Sequence, residues 1–553
     1  MKSFRIRRNF KAVCFALVLI VFGNQPVNAQ KTSIIDTQKV IEHLNYLADD
    51  SLEGRGVGTS GESLAADYIV EQLRGIGLQS LMANNAYKQK IPMHSSMPLS
   101  SSKLVLYTKS DTLKLSLNED YFLYKSGAQT FHPTPVPLVF VGYGIIAPEF
   151  DYNDYQTVDV RNKIVVCFDG EPKSSDTHYF AGHEPTVYST AEAKQRLAIS
   201  KGAIGSIIIP LNYKDFNMYW QKQSRVFSFE DVSLASRVSG HLSLLLHRAI
   251  VPSLFKEAPL SWEEVNQLKE DHAMYSFPLN TRLSFRGEFK EREFIASNVI
   301  GVLHGAETNL DEPYVVVSSH FDHLGVGLPV KGDSIYNGAI DNAIGVAATL
   351  EIARTLKRTS RSLLRSVIFL FVTAEEKGLL GSRYYLSHSP LPHYKIAANI
   401  NIDGIAIFDR FNSVVGVGKN YSELGDILVA MAEKYGMYAT DVPAQFLSFE
   451  SFARSDQMAF AQAGIPSILI MDGLDYENLT TMEGLKRWQN WIDKRYHTPT
   501  DDLNQPIDYR AVEQHVQFLY DYIVRVANHN QSIQWNEDAP FINIRLQSQA
   551  EKR

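Results

Sequence analysis

The sequence predicts an α/β protein with a mostly parallel central sheet flanked by helices and a β-rich segment inserted into it. Three observations carry this. "YVVVSSH" (314–320), "SVIFLFVTAEE" (366–376), "AANINID" (397–403) and "SILIMDG" (467–473) are near-continuous apolar runs, the pattern of strands buried on both faces of a largely parallel sheet. Between the first two, Val346, Leu350, Ala353 and Leu356 recur at helical spacing. From about 131 to 290 the texture shifts to short strands and turns, as in "TPVPLVFVGYG", "NKIVVCFDG" and "GAIGSIIIP".

In chain order, residues 1–29 have the layout of a cleaved secretory signal. A basic stretch precedes an apolar run from Ala12 to Phe22, and Val27-Asn28-Ala29 gives a small-residue exit. The run is too short to span a bilayer comfortably; an uncleaved anchor is the alternative. No later stretch resembles a membrane span. The signal layout makes the expected location periplasmic or extracellular. Residues 30–130 read as the first part of the main domain. One helix carries Val40, Leu44 and Leu47; after a Gly-rich loop a second carries Ala65, Ile69, Leu73 and Ile76. Residues 131–290 read as the insert, 291–530 as the α/β part, and 531–553 as a polar tail.

The 553 residues are 45% hydrophobic and 21% charged, ordinary for a globular chain long enough for more than one domain. Loss of the signal removes five basic residues and no acids, taking the formal charge from −7 to −12. An acidic exported protein is a poor partner for nucleic acid or anionic membranes. Cys14 leaves with the signal, and Cys167, in "KIVVCFDG", reads as a buried small hydrophobe. Stability therefore has to come from packing.

The strand ends carry the chemistry. The first run ends in His320, the second in Glu375 and Glu376, the third in Asp403. Open α/β sheets bind ligands beyond the carboxyl ends of their strands, so these groups share one rim. Asp341, in "NGAIDNAIG", stands at the entrance of the following helix, where it could equally be an N-cap. His497, in "RYHTPTDD", lies on a Pro-bearing loop. Two His, two Asp and two Glu make a borderline N/O ligand set of a size that suits two metals. So many carboxylates at one rim repel one another unless cations are present.

"SHFDHLG", "GAIDNAIG", "TAEEKGLLGS", "NIDG" and "YHTPTD", in that order, resemble the motifs of the M28 zinc metallopeptidases, the co-catalytic dizinc aminopeptidases. "SLEGRGVGTSGESLAADYIVEQLRGIGL" resembles the family's N-terminal segment; "VFVGYGI" and "GAIGSIII" resemble an inserted protease-associated (PA) domain. The resemblance implies the zinc-peptidase α/β fold and two zinc ions per chain. It implies that Asp341 bridges the metals, that His320 and Asp403 complete one site, and that Glu376 and His497 complete the other. Glu375 would be the general base. Neighbouring side chains on an extended segment point oppositely, so the adjacent glutamates can serve different functions. Zinc would acidify a water and polarise the scissile carbonyl while a carboxylate takes the proton.

The resemblance further implies that Asp322 orients the His320 ring, though it could be an ordinary surface Asp. Tyr496 resembles a phenol that donates to the developing oxyanion, or it serves packing. Ile344 and Gln457 depart from the family, which often has a small residue and a His there. His323 is an extra His without an assigned role. The expected activity is an exported aminopeptidase acting on peptides with a free N-terminus. A glutaminyl-cyclase-like acyl transferase, a carboxypeptidase of the same family and a non-catalytic receptor-like ectodomain are the alternatives. Oligomeric state is left open.

Overall fold

The computed structural model describes residues 33–551, apart from 125–130, 177, 181, 183–185, 212–214, 238–240, 271–272, 307–309, 360–361, 444–445 and 447–451. The proposed signal at 1–29 lies outside the described residues. A nine-stranded sheet forms the larger body. The four apolar runs are neighbours at its centre, in the order Ser366–Val372, Tyr314–His320, Ile396–Asn401, Ser467–Asp472, all parallel. Ser366–Val372 and Ile396–Asn401 are buried at every residue, which is why they read as unbroken apolar runs rather than alternations.

The flanks are mixed. Phe289–Leu303 pairs antiparallel with Ser366–Val372, and Lys88–Pro98 pairs antiparallel with Phe289–Leu303 along its whole length. Ser413–Val417 is antiparallel to Ser467–Asp472. The sheet as a whole is therefore mixed around a parallel core. Helices Thr37–Leu47, Ser60–Ile76, Ile344–Thr359 and Tyr509–Ala527 carry their apolar stripes into one core cluster with this sheet. Ile344 is fully buried there.

A second, eight-stranded sheet has its own core, which includes Phe140, Phe168, Ile207 and Leu244. Its strands run from Lys103–Tyr107 to Phe277–Arg286. It thus begins before residue 131: Lys103–Tyr107, Thr112–Leu115 and Tyr121–Leu123 all join it. These strands are too short to alter the local texture of the sequence. Asp231–Leu234, inside the 131–290 segment, instead pairs with Lys88–Pro98 at the edge of the first sheet.

The expected polar tail is packed. Trp535 is 5% exposed and donates its indole N–H to Gly464 O, and a helix spans Ile542–Ala550. Arg545, on that helix, is 3% exposed and paired with the equally buried Glu312. The helix is anchored by a charge pair and not by an apolar stripe, so it has no helical signature in sequence. Cys167 is buried and free. No helix among the described residues is long and apolar enough to cross a membrane.

Candidate active site

Three adjacent parallel strands deliver the strand-end residues to one rim. His320 closes Tyr314–His320, Glu375 and Glu376 follow Ser366–Val372, and Asp403 follows Ile396–Asn401. Asp341 precedes helix Ile344–Thr359. His497 arrives on the loop after helix Thr481–Lys494. All of them meet.

His320 Nε2 lies 3.2 Å from Asp403 Oδ1 and 3.3 Å from Asp341 Oδ1. His497 Nε2 lies 3.2 Å from Asp341 Oδ2 and 3.2 Å from Glu376 Oε2. Asp341 thus presents one oxygen to each histidine. That is the disposition of a bridging carboxylate; its side chain is committed to the histidines, not to capping the helix.

Burial alone would lower the His497 pKa, but Glu376 and Asp341 outweigh it and raise it to about 9. Burial likewise opposes ionisation of Glu376, yet His497 and His323 hold its carboxyl below the usual range. Glu375 goes the other way. Burial, with the Asp403 and Asp456 carboxylates, keeps it well above the usual range against the pull of His320. The two adjacent glutamates are therefore electrostatically distinct: one is held as an anion, the other is poised to hold a proton.

Asp322 is fully buried, so it is not a surface residue, and burial pushes it up to about 7. Its Oδ1 accepts the Glu375 backbone N–H at 3.1 Å. The His320 Nδ1 contact is with the Asp322 backbone carbonyl, at 3.1 Å; the carboxylate is 3.8 Å away. Asp322 thus positions both the His320 ring and the Glu375 backbone. Tyr496 stacks on His497 with ring centroids 3.8 Å apart, and its phenol oxygen accepts from Arg454 Nη2 at 3.4 Å. It packs and also lines the cleft. Gln457 is buried, taking Asn401 Nδ2 on its Oε1 and donating to Phe452 O.

Four residues the sequence reading left without a role support the site. Arg55, 1% exposed, donates to Phe321 O at 2.7 Å, Asn337 O at 2.6 Å, Gly338 O at 3.0 Å and to Leu47 O. It thereby clamps the backbone just after His320 and just before Asp341. Asp501 accepts the N–H groups of Ile340 and Asp341, each at 3.1 Å. Ser455 donates to Asp403 Oδ2 at 2.6 Å. His323, fully buried, sets Nδ1 2.7 Å from Glu376 Oε1. "EGRG", "TPTDD", "ARSD" and "FDHLG" were the available signals.

Above the rim lies a cleft of about 350 Å³. One wall is apolar, from Val417, Leu469, Met471, Trp488 and Trp491; Arg383, Arg454 and Glu192 are charged residues on its lining. Glu192 belongs to helix Ala191–Ser200 of the second-sheet segment.

The donor set fits divalent metal. His320, Asp341 and Asp403 form one group with mutually close ligand atoms, and His323, Asp341 and Glu376 another. The buried His497 Nε2 has no well-aligned hydrogen-bond partner, only the carboxylate oxygens of Asp341 and Glu376 at 3.2 Å, which is costly unless a cation sits among them.

A sequence model of peptidase family M28 matches residues 298–523. This part of the chain belongs to peptidase family M28. The M28 region encloses His320, Asp341, Glu375, Glu376, Asp403 and His497. Among curated relatives, a probable leucine aminopeptidase 2 of Aspergillus oryzae is 30% identical over 227 residues, 39% of this chain and 41% of that protein. Aminopeptidase YwaD of Bacillus subtilis is 27% identical over 218 residues, 38% of this chain and 40% of that protein. The matched stretch thus spans about two-fifths of each relative. An aminopeptidase from Aneurinibacillus sp. strain AM-1 shares the fold, with a TM-score of 0.53 at 18% identity over 90% of this chain and 95% of that one.

Proposed function

We propose that the protein is an exported, zinc-dependent aminopeptidase with two zinc ions per chain, removing N-terminal residues from peptides. The observation that carries this is Asp341, whose two oxygens face His320 and His497 at 3.3 and 3.2 Å. His320 and Asp403 would complete one ion's set, Glu376 and His497 the other's. Bound there, the ions would supply Lewis acidity to polarise a carbonyl and acidify a water. The rest falls to this chain. Glu375, its backbone fixed by Asp322 and its carboxyl raised by burial, takes the water's proton and returns it to the leaving amine. Tyr496 offers its O–H to the carbonyl oxygen as charge develops. The apolar wall of Val417, Leu469, Met471, Trp488 and Trp491 receives the side chain of the residue removed.

Names of relatives that read aminopeptidase support the choice of peptide end. A one-zinc glutaminyl-cyclase-like transferase has no use for the second histidine–carboxylate cluster, and an ectodomain without metals has no use for either. The segment of residues 1–29 supports export to the periplasm or beyond. The insert, which we read as PA-like, borders the cleft through Glu192. The test is metal analysis with hydrolysis of an aminoacyl-amide panel, beside N-blocked peptides. Two zinc ions per chain and cleavage confined to free N-termini are expected. Cleavage of N-blocked peptides from their C-terminal end overturns the aminopeptidase reading.

A further inference from the structure

The nitrogen–oxygen spacings of the site fall into two groups. His320 Nε2 stands 3.3 Å from Asp341 Oδ1 and 3.2 Å from Asp403 Oδ1, and His497 Nε2 stands 3.2 Å from both Asp341 Oδ2 and Glu376 Oε2. Two N/O atoms bound to one tetrahedral zinc at about 2.0–2.1 Å are about 3.3 Å apart. These four spacings fit that edge. The third histidine does not. His323 Nδ1 is 2.7 Å from Glu376 Oε1 and 4.0 Å from Asp341 Oδ2. The first is a close contact between a ring nitrogen and a carboxylate oxygen, shorter than the edge of a tetrahedral zinc; the second is too long for such an edge.

Glu376 therefore divides its oxygens, Oε2 toward His497 and Oε1 toward His323. The surroundings are shaped for this. His323 is fully buried, and a Cβ at position 338 would sit 2.5 Å from His323 Cγ, so only glycine leaves the ring its place. Gly338 also has φ +58, where a side chain is strained. One short loop thus leads into Asp341 while making room for the imidazole beside Glu376.

We infer that His323 is a positioning residue: through Glu376 Oε1 it fixes Glu376 Oε2 as that carboxylate's single metal-facing oxygen. Partners of this kind typically change metal affinity 10–100-fold when removed. The effect belongs to the Asp341–Glu376–His497 cluster and leaves the His320–Asp403 cluster alone. The inference rests on the two-metal reading above.

The test titrates full-length zinc-loaded protein with a competing chelator, for wild type, His323→Ala and His323→Asn. Asparagine can place its amide N–H near the Nδ1 position. Expected for His323→Ala is a roughly 10–100-fold weakening of one zinc with the other unchanged, and substantial recovery in His323→Asn. Equal weakening of both ions, or of neither, overturns the inference. X-ray absorption at the zinc edge of wild type decides independently of whether His323→Ala folds. One imidazole per zinc is expected, whereas three imidazoles per two zincs would make His323 a ligand and overturn the positioning role. A wild type holding a single zinc overturns the two-metal reading first, before any variant is compared.

Discussion

Asp501 reaches across 160 residues of sequence to accept the backbone N–H of Asp341 at 3.1 Å. The same carboxylate accepts the Ile340 N–H at 3.1 Å, so the segment that presents the two Asp341 oxygens to His320 and His497 hangs on one buried acid. Its removal in Asp501→Ala leaves two buried donors without an acceptor, a loss of roughly 2–5 kcal/mol. Because Asp341 faces both histidines, retention of both zinc ions should fall together. Urea unfolding and zinc content per chain check this. A variant that loses stability yet holds both ions as wild type does would show that Asp501 supports the fold and not the metal site.

The adjacent glutamates make the second prediction. Glu375→Gln should reduce turnover by at least about 10²–10⁴-fold, the usual contribution of a general base, with two zinc ions retained. Glu376→Gln should lose the ion shared with His497. Comparable zinc loss in both variants would refute the division of roles, which rests on Glu376 Oε2 lying 3.2 Å from His497 while Asp322 holds the Glu375 backbone.

Much of this site was legible in sequence because strands buried on both faces are written as unbroken apolar runs, and their ends name the rim. Glu375 and Glu376 stand out for that reason. What supports the rim was not legible. Arg55 acts on carbonyls as far away in sequence as Gly338, and Asp501 acts on backbone N–H groups; backbone contacts at such separations leave no periodicity. Lys88–Pro98 is one of the two longest strands of the main sheet, yet "KQKIPMHSSMP" has two prolines and no clean alternation. It is held in the sheet by its full-length pairing with Phe289–Leu303. The helix Ile542–Ala550 was hidden because its anchor is a buried arginine.

Acid should destabilise the fold through His515. This ring is fully buried, accepts the Ala406 N–H on Nδ1 at 3.0 Å, and is depressed by burial from 6.5 to about 4. Between those values the unfolded chain binds the proton and the folded one does not, so its contribution is complete above about pH 6.5 and is lost as pH falls toward 4. The full loss amounts to about 3 kcal/mol. His515→Asn keeps an acceptor near Nδ1 and removes the titration. Its urea-unfolding free energy should fall less steeply than wild type from pH 6.5 to 4; parallel curves would exclude His515 as the source.

The last prediction concerns access to the cleft. Glu192 stands on helix Ala191–Ser200 of the second-sheet segment, and Arg383 on helix Leu380–Ser387, which follows Glu375 and Glu376. Their charged atoms are 3.8 Å apart, both residues line the cleft, and both are partly exposed. We propose that this pair narrows the cleft for peptides extending beyond the first residues. Excising residues 131–290 is a poor test, because it removes Asp231–Leu234 from the edge of the main sheet. Glu192→Lys sets like charges against each other without touching either sheet. An exposed pair is worth roughly 0.2–1 kcal/mol, so long-peptide relative to dipeptide kcat/KM should rise by no more than about fivefold. Parallel measurement at high salt should shrink the difference, since exposed charges are screened. A ratio unchanged by Glu192→Lys at both salt concentrations would mean that the pair does not gate the cleft, with the metal chemistry beneath it untouched.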